Sequence, residues 1–134
     1  MGDTAASPEP ARILLVDDND EVRVSMRRAL AQDGHNVVEA GSGDTAAVLI
    51  EADVPFDMLI TDVRMPGSRD GVDLASVWHE KAPDNPVLFV SGDTGSRLDL
   101  DALGPHQALL QKPFRRASLL SAVQHLLGRV RHRA

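Results

Sequence analysis

Asp17 and Asp18, Asp62, Ser91 and Lys112 are the residues whose types and spacing could do chemistry together. Each site follows a short apolar run: Arg12 to Val16, Met58 to Ile60, Val87 to Val90, and Ala108 to Leu110. A carboxylate at the carboxyl end of a buried strand is costly unless something binds it. Three of them at one rim repel one another until a cation joins them. All-oxygen ligation without His or Cys favours a hard ion, and Mg²⁺ first, because it accepts one or two carboxylates plus waters. The Ser91 hydroxyl and the Lys112 ammonium complete a phosphoryl-binding set, in which metal and lysine neutralise oxygens and the hydroxyl donates to another. A carboxylate in that setting can attack phosphorus and hold the group as a mixed anhydride. The plainer alternatives are that Asp62 and Ser91 start turns and Lys112 is a surface charge.

The elements that must position these residues follow from the hydrophobic pattern. Arg12 to Val16 reads as a strand buried on both faces. Val22, Met26, Ala29 and Leu30 recur at helical spacing up to Asp33, and Gly34 is a natural stop. A second strand lies in His35 to Ala40. A second helix spans Asp44 to Ala52, with Ala47, Val48 and Ile50 among its apolar positions. The third strand runs into Asp62 and breaks at Met65-Pro66-Gly67. Gly71 to Lys81 carries Leu74, Val77 and Trp78 on one face of a third helix. The fourth and fifth strands precede Ser91 and Lys112, and a last helix from about Arg115 shows Leu119, Val123, Leu126, Leu127 and Val130. Between strands four and five, Gly95 and Gly104-Pro105 leave room for only a short, loosely held helix. The expected fold is α/β: a flavodoxin-like, doubly wound, five-stranded parallel sheet of order 2-1-3-4-5, with five helices, the fourth short or irregular. Its switch point between strands one and three puts Asp17 and Asp18 beside Asp62.

Composition narrows the partners. With 134 residues the chain is one domain, expected over 11–130, between a disordered tail at 1–10 and a short tail at 131–134. Its 14 basic and 20 acidic residues give a net charge of −6, which argues against nonspecific nucleic-acid binding. One Trp and no Tyr leave no aromatic platform for single strands. There is no cysteine, in keeping with a reducing cytoplasm, and no apolar run approaches the ~20 residues of a membrane span. The basic end, Arg129, Arg131 and Arg133, suits a helix C-terminus electrostatically. Trp78 reads as packing, and the five histidines show no ligand spacing.

Asp17-Asp18, Asp62 with Met65-Pro66, Ser91-Gly92 and Lys112-Pro113-Phe114 together resemble the receiver domain of two-component response regulators, in register over roughly residues 12–129. The resemblance implies that Asp62 accepts phosphoryl from the phosphohistidine of a histidine kinase or a histidine phosphotransfer protein. It implies that Asp18, Asp62 and the backbone carbonyl of Arg64 bind Mg²⁺, with Asp17 acting mainly through a metal-bound water. Ser91 would hydrogen-bond the phosphoryl group, Lys112 would pair with it, and the Lys112-Pro113 bond would be cis. Such a domain catalyses its own phosphorylation and dephosphorylation without being an enzyme in the usual sense. It signals by protein contact on the face formed by the fourth helix, fifth strand and fifth helix.

The departures from the family pattern bear on the readout. Leu109 stands where the family usually has Tyr or Phe, three residues before the lysine, and the loop Gly67-Ser68-Arg69-Asp70 is one residue longer than the common pattern. Both leave open a phosphorelay or phosphate-sink receiver, serving or excised from a hybrid histidine kinase. Arg64 and Asp93 are placed either to pair as a lid across the site, lengthening the life of the acyl phosphate, or to remain solvated loop charges. Asp18-Asn19-Asp20-Glu21-Val22 also fits the D-x-D-x-[TV] signature of haloacid-dehalogenase-like phosphatases. That motif alone is weak, and the chain is short for the class. A partner-binding pseudo-receiver is disfavoured because every acceptor-site residue is present.

Overall fold

β1, Arg12–Val16, is an interior strand of the sheet, because four of its five residues are apolar and can be buried on both sides. Ile13 and Leu15 point into one core layer, Leu14 and Val16 into the other. The computed structural model describes residues 10–92 and 103–131, with side chains as far as residue 128. Around β1 it places α1 (Asp20–Gln32), β2 (Asn36–Ala40), α2 (Gly43–Glu51), β3 (Met58–Asp62), α3 (Gly71–Lys81), β4 (Val87–Ser91), β5 (Gln107–Gln111) and α4 (Arg116–Arg131). All neighbouring strands are parallel and the order is β2-β1-β3-β4-β5, as expected. Four helices stand among the described residues. The segment expected to hold a short fourth helix lies outside them up to residue 102, so α4 is the helix read as the last one.

The two faces of the sheet are covered by different helices. Met26 and Leu30 of α1 and Leu119, Val123 and Leu126 of α4 pack on Ile13, Leu15, Met58, Ile60, Leu88 and Val90. Ala46, Ala47 and Ile50 of α2 and Leu74 and Trp78 of α3 pack on Leu14, Val16, Leu59 and Phe89. Alternation along each strand sends successive residues to opposite layers, so the central strands need no polar positions until they reach the rim. Val48 is a correction: it is 65% exposed, and Ala46 takes the inward place instead. In a nine-residue helix with so many small and apolar residues, several faces satisfy the periodicity about equally well. Trp78 is core, its indole Nε1–H donating to the Asn85 carbonyl at 3.1 Å. His35 is core as well, its Nδ1 accepting the Ala11 N–H at 3.1 Å.

The helix starts nearest the sheet's carboxyl edge are capped. Asn19 Oδ1 accepts the Val22 N–H at 3.0 Å, and Asp70 and Asp73 form a reciprocal capping box at the start of α3. Gly34, with φ of 95°, follows the end of α1 and takes a conformation that side chains disfavour. No helix among the described residues is long and apolar enough to cross a membrane.

Candidate functional site

The register of the sheet brings the expected residues to one rim. Val16 lies opposite Thr61, so the residues that follow, Asp17 and Asp62, leave β1 and β3 side by side. Asp62 lies opposite Val90 and Ser91 opposite Gln111, which carries Ser91 and Lys112 to the same edge. The Lys112 N–H donates to the Ser91 carbonyl at 2.8 Å, and the Lys112-Pro113 bond is cis.

The three aspartates converge. Asp17, Asp18 and Asp62 each present an oxygen within 4.8 Å of the other two. They differ in exposure: Asp17 is buried, Asp62 is half-buried and Asp18 faces solvent. Both oxygens of Asp17 are engaged, Oδ1 by the Asn19 N–H at 2.9 Å and Oδ2 by Lys112 Nζ at 3.0 Å. Asp62 is held likewise, Oδ1 by the Arg64 N–H at 3.1 Å and Oδ2 by Lys112 Nζ at 2.9 Å. Burial works against the Lys112 ammonium, but its hydrogen bonds to Asp62 and Asp17 and their charges outweigh that cost. Its pKa therefore stands above the ordinary 10.5.

Three carboxylates and one ammonium sum to −3 + 1 = −2 in formal charge. A divalent cation would cancel that excess, and the all-oxygen donor set fits a hard one. Asp18, the exposed member, has room for it. Asp17, the buried member, is the least open of the three to direct contact and is better suited to reach such an ion through a water.

Three contributors to this rim carry no chemistry of their own. Asn19 caps α1 while its backbone N–H holds Asp17, and an Asn before Asp20-Glu21 is a recognisable helix start. Gly71 begins α3 against the backbone of Asp62 and Val63. A Cβ there would collide with the Asp62 carbonyl oxygen and come within 2.9 Å of the Val63 Cα. Arg23, on α1, donates from Nη1 to the Asp17 carbonyl at 2.6 Å. Of the remaining expectations, Asp93 lies outside the described residues, and with it the Arg64–Asp93 lid. Asp20, the second acid of the phosphatase-like motif, turns away from the cluster to Arg23, 2.8 Å off, with its side chain 84% exposed.

Comparison with known proteins agrees with this geometry. The family model described as "Response regulator receiver domain" matches residues 13–124. The chain belongs to that family. It is 32% identical over 117 residues to the response regulator receiver protein CpdR of Brucella abortus, covering 87% of this chain and 96% of that one. A receiver protein from Sinorhizobium medicae superposes with a TM-score of 0.83 at 31% identity, covering 91% and 98% of the two chains. The receiver domain of the hybrid histidine kinase CckA superposes with a TM-score of 0.72 at 35% identity, covering 87% and 98%. Other curated relatives are longer: the chain spans 57% of one and 13% of another. The chain is thus a receiver domain of two-component signal transduction, a signalling domain with a flavodoxin-like fold. Receiver domains bind Mg²⁺ at an aspartate cluster and interact with histidine kinases or phosphotransfer proteins, and the acids at this rim could hold a metal.

Proposed function

We propose that Asp62 is the phosphoacceptor of this receiver. In the transfer, a carboxylate oxygen of Asp62 forms a bond to phosphorus while the phosphorus–nitrogen bond of a phosphohistidine breaks. The leaving imidazole takes up a proton. The convergence of Asp17, Asp18 and Asp62 with the Lys112 ammonium is the observation that carries this reading. Asp18, Asp62 and the Arg64 carbonyl would hold Mg²⁺, which would neutralise charge on the phosphoryl oxygens. Asp17 would reach that ion through a water, Lys112 exchanges its carboxylate partner for a phosphoryl oxygen, and Ser91 donates to another. The Arg64 N–H fixes the Asp62 rotamer for attack. By the same chemistry the domain catalyses its own phosphorylation and, with water as nucleophile, its dephosphorylation.

The donor is a histidine kinase or a histidine phosphotransfer protein, in the cytoplasmic setting that the cysteine-free sequence suggests. Signalling through a downstream protein on the face that includes β5 and α4 is the first version of this proposal. Leu109, half-buried against the α2–α3 core layer where the family usually carries an aromatic, favours a second. That version is a phosphorelay or phosphate-sink receiver, which needs only the phosphoryl group, and the similarity to the CckA receiver domain supports it.

Acetyl phosphate labelling tests the assignment. With Mg²⁺ the label should map to Asp62 and vanish in Asp62→Asn. A label on Asp18 that turns over would instead indicate a phosphatase.

A further inference from the structure

Arg23 is placed to do more than decorate α1. Its side chain is only 15% exposed, and each of its nitrogens is directed at a different element. Nε donates to Glu39 Oε1 on β2 at 3.0 Å, Nη2 to Asp20 Oδ1 in its own helix at 2.8 Å, and Nη1 to the Asp17 carbonyl at 2.6 Å. Glu39 is itself held from the other side, its Oε2 receiving Arg27 Nε at 2.8 Å. The guanidinium is a planar fork with fixed donor directions, so Glu39 and Asp20 set where Nη1 points.

The carbonyl at the end of that chain belongs to the peptide joining Asp17 to Asp18. The Asp17 N–H is bound to the Ala40 carbonyl at 3.2 Å, so Arg23 supplies the second point that fixes the plane of the following peptide. The orientation of that plane decides where the Asp18 carboxylate is delivered. Asp18 is exposed, so its placement depends on the backbone that carries it. Mg²⁺ tolerates little departure from octahedral geometry. We infer that Arg23 is a positioning residue for the metal site, clamping the Asp17–Asp18 peptide from Glu39 so that Asp18 is already aimed at the ion. The inference rests on the reading of Asp17, Asp18 and Asp62 as a Mg²⁺ site.

The sign of the effect separates this role from plain electrostatics. Arg23 is a cation near a cation site, so if its charge were what mattered, removing it would tighten Mg²⁺ binding. If it positions Asp18, removing it weakens binding. Loss of an outer partner of a metal ligand typically lowers affinity by about 10–100-fold.

The experiment is a Mg²⁺ titration of the full chain followed by backbone amide shifts of residues 17–19 and 62–64, in wild type, Arg23→Met, Arg23→Lys and Arg27→Met. Acetyl phosphate labelling of Asp62 is measured across the same series. Arg23→Met should raise the Mg²⁺ midpoint about tenfold, with Arg23→Lys between it and wild type. Labelling should return to within about twofold of wild type once Mg²⁺ saturates, because Arg23 does not touch the phosphoryl group. Arg27→Met, which loosens Glu39 through a more exposed ion pair but leaves Arg23 on the Asp17 carbonyl, should shift the midpoint far less, by about twofold at most. A mere loss of folded protein would lower the labelling maximum at every Mg²⁺ concentration without moving the midpoint, and would overturn the inference. So would an unchanged or lower midpoint in Arg23→Met, or a shift no larger than that of Arg27→Met. If wild type itself shows no Mg²⁺ response, the metal site and the clamp fall together. If only the variants behave alike, the clamp falls alone.

Discussion

Lys112 Nζ stands 2.9 Å from Asp62 Oδ2 and 3.0 Å from Asp17 Oδ2, so one ammonium bridges carboxylates at the ends of two different strands. Lys112 thereby offsets the mutual repulsion of the acids.

Replacing it exposes that repulsion. Lys112→Met should destabilise the metal-free protein by ~1–3 kcal/mol, since it leaves partly buried carboxylates without their charged partner. Added Mg²⁺ should recover more stability in the variant than in wild type. Urea unfolding with and without Mg²⁺ measures both, and an equal Mg²⁺ increment in the two proteins would contradict the bridging role.

The pH dependence follows from the raised pKa of Lys112. A group whose pKa is higher folded than unfolded contributes stability in full below its unfolded value and loses it as pH rises through the folded one. The stability gap between wild type and Lys112→Met should therefore hold constant from neutrality to near the ordinary 10.5, then close above it. Paired urea titrations at stepped pH test this. A gap that already closes between about pH 7 and 9 would show that the ammonium is not stabilised by the acids.

Gly71 makes a steric prediction. Any side chain there meets the backbone of Asp62 and Val63, which cannot move aside without disturbing the Asp62 carboxylate. Gly71→Ala should cost ~2–3 kcal/mol in urea unfolding and slow Asp62 labelling at saturating Mg²⁺. Wild-type stability in that variant would mean α3 can slide without effect.

Asn19 separates capping from metal binding. Its side chain caps α1, but it is its backbone N–H that holds Asp17. Asn19→Ala should cost ~1 kcal/mol of stability and leave the Mg²⁺ midpoint close to wild type. A midpoint shift as large as that of Arg23→Met would assign the side chain a role at the site that the geometry does not give it.

Much of this was legible in the order of residues. β1, β3 and β4 carry short apolar runs that lead to Asp17, Asp62 and Ser91, and strands buried on both faces read that way. α3 was bounded correctly at Gly71 and Lys81 because Asp70 and Pro83 mark its ends. The rim itself followed from topology, since a 2-1-3-4-5 sheet sets Asp17 next to Asp62. Val48 misled because in α2 nearly every face is apolar or small. Arg23 and Gly71 were not anticipated for a different reason: each acts on a backbone atom of another element, and such contacts leave no periodic trace. Nor does a sequence say which partners a lysine takes, and here Lys112 takes two acids.

The cage of Asp17, Asp18 and Asp62 around a divalent ion is best tested by paramagnetic broadening with Mn²⁺ at concentrations well below that of the protein. Amides of residues 17–19, 62–64 and 91 should broaden first, and excess Mg²⁺ should restore them. Broadening centred elsewhere, or persisting unchanged in Asp18→Asn and Asp62→Asn, would contradict the account.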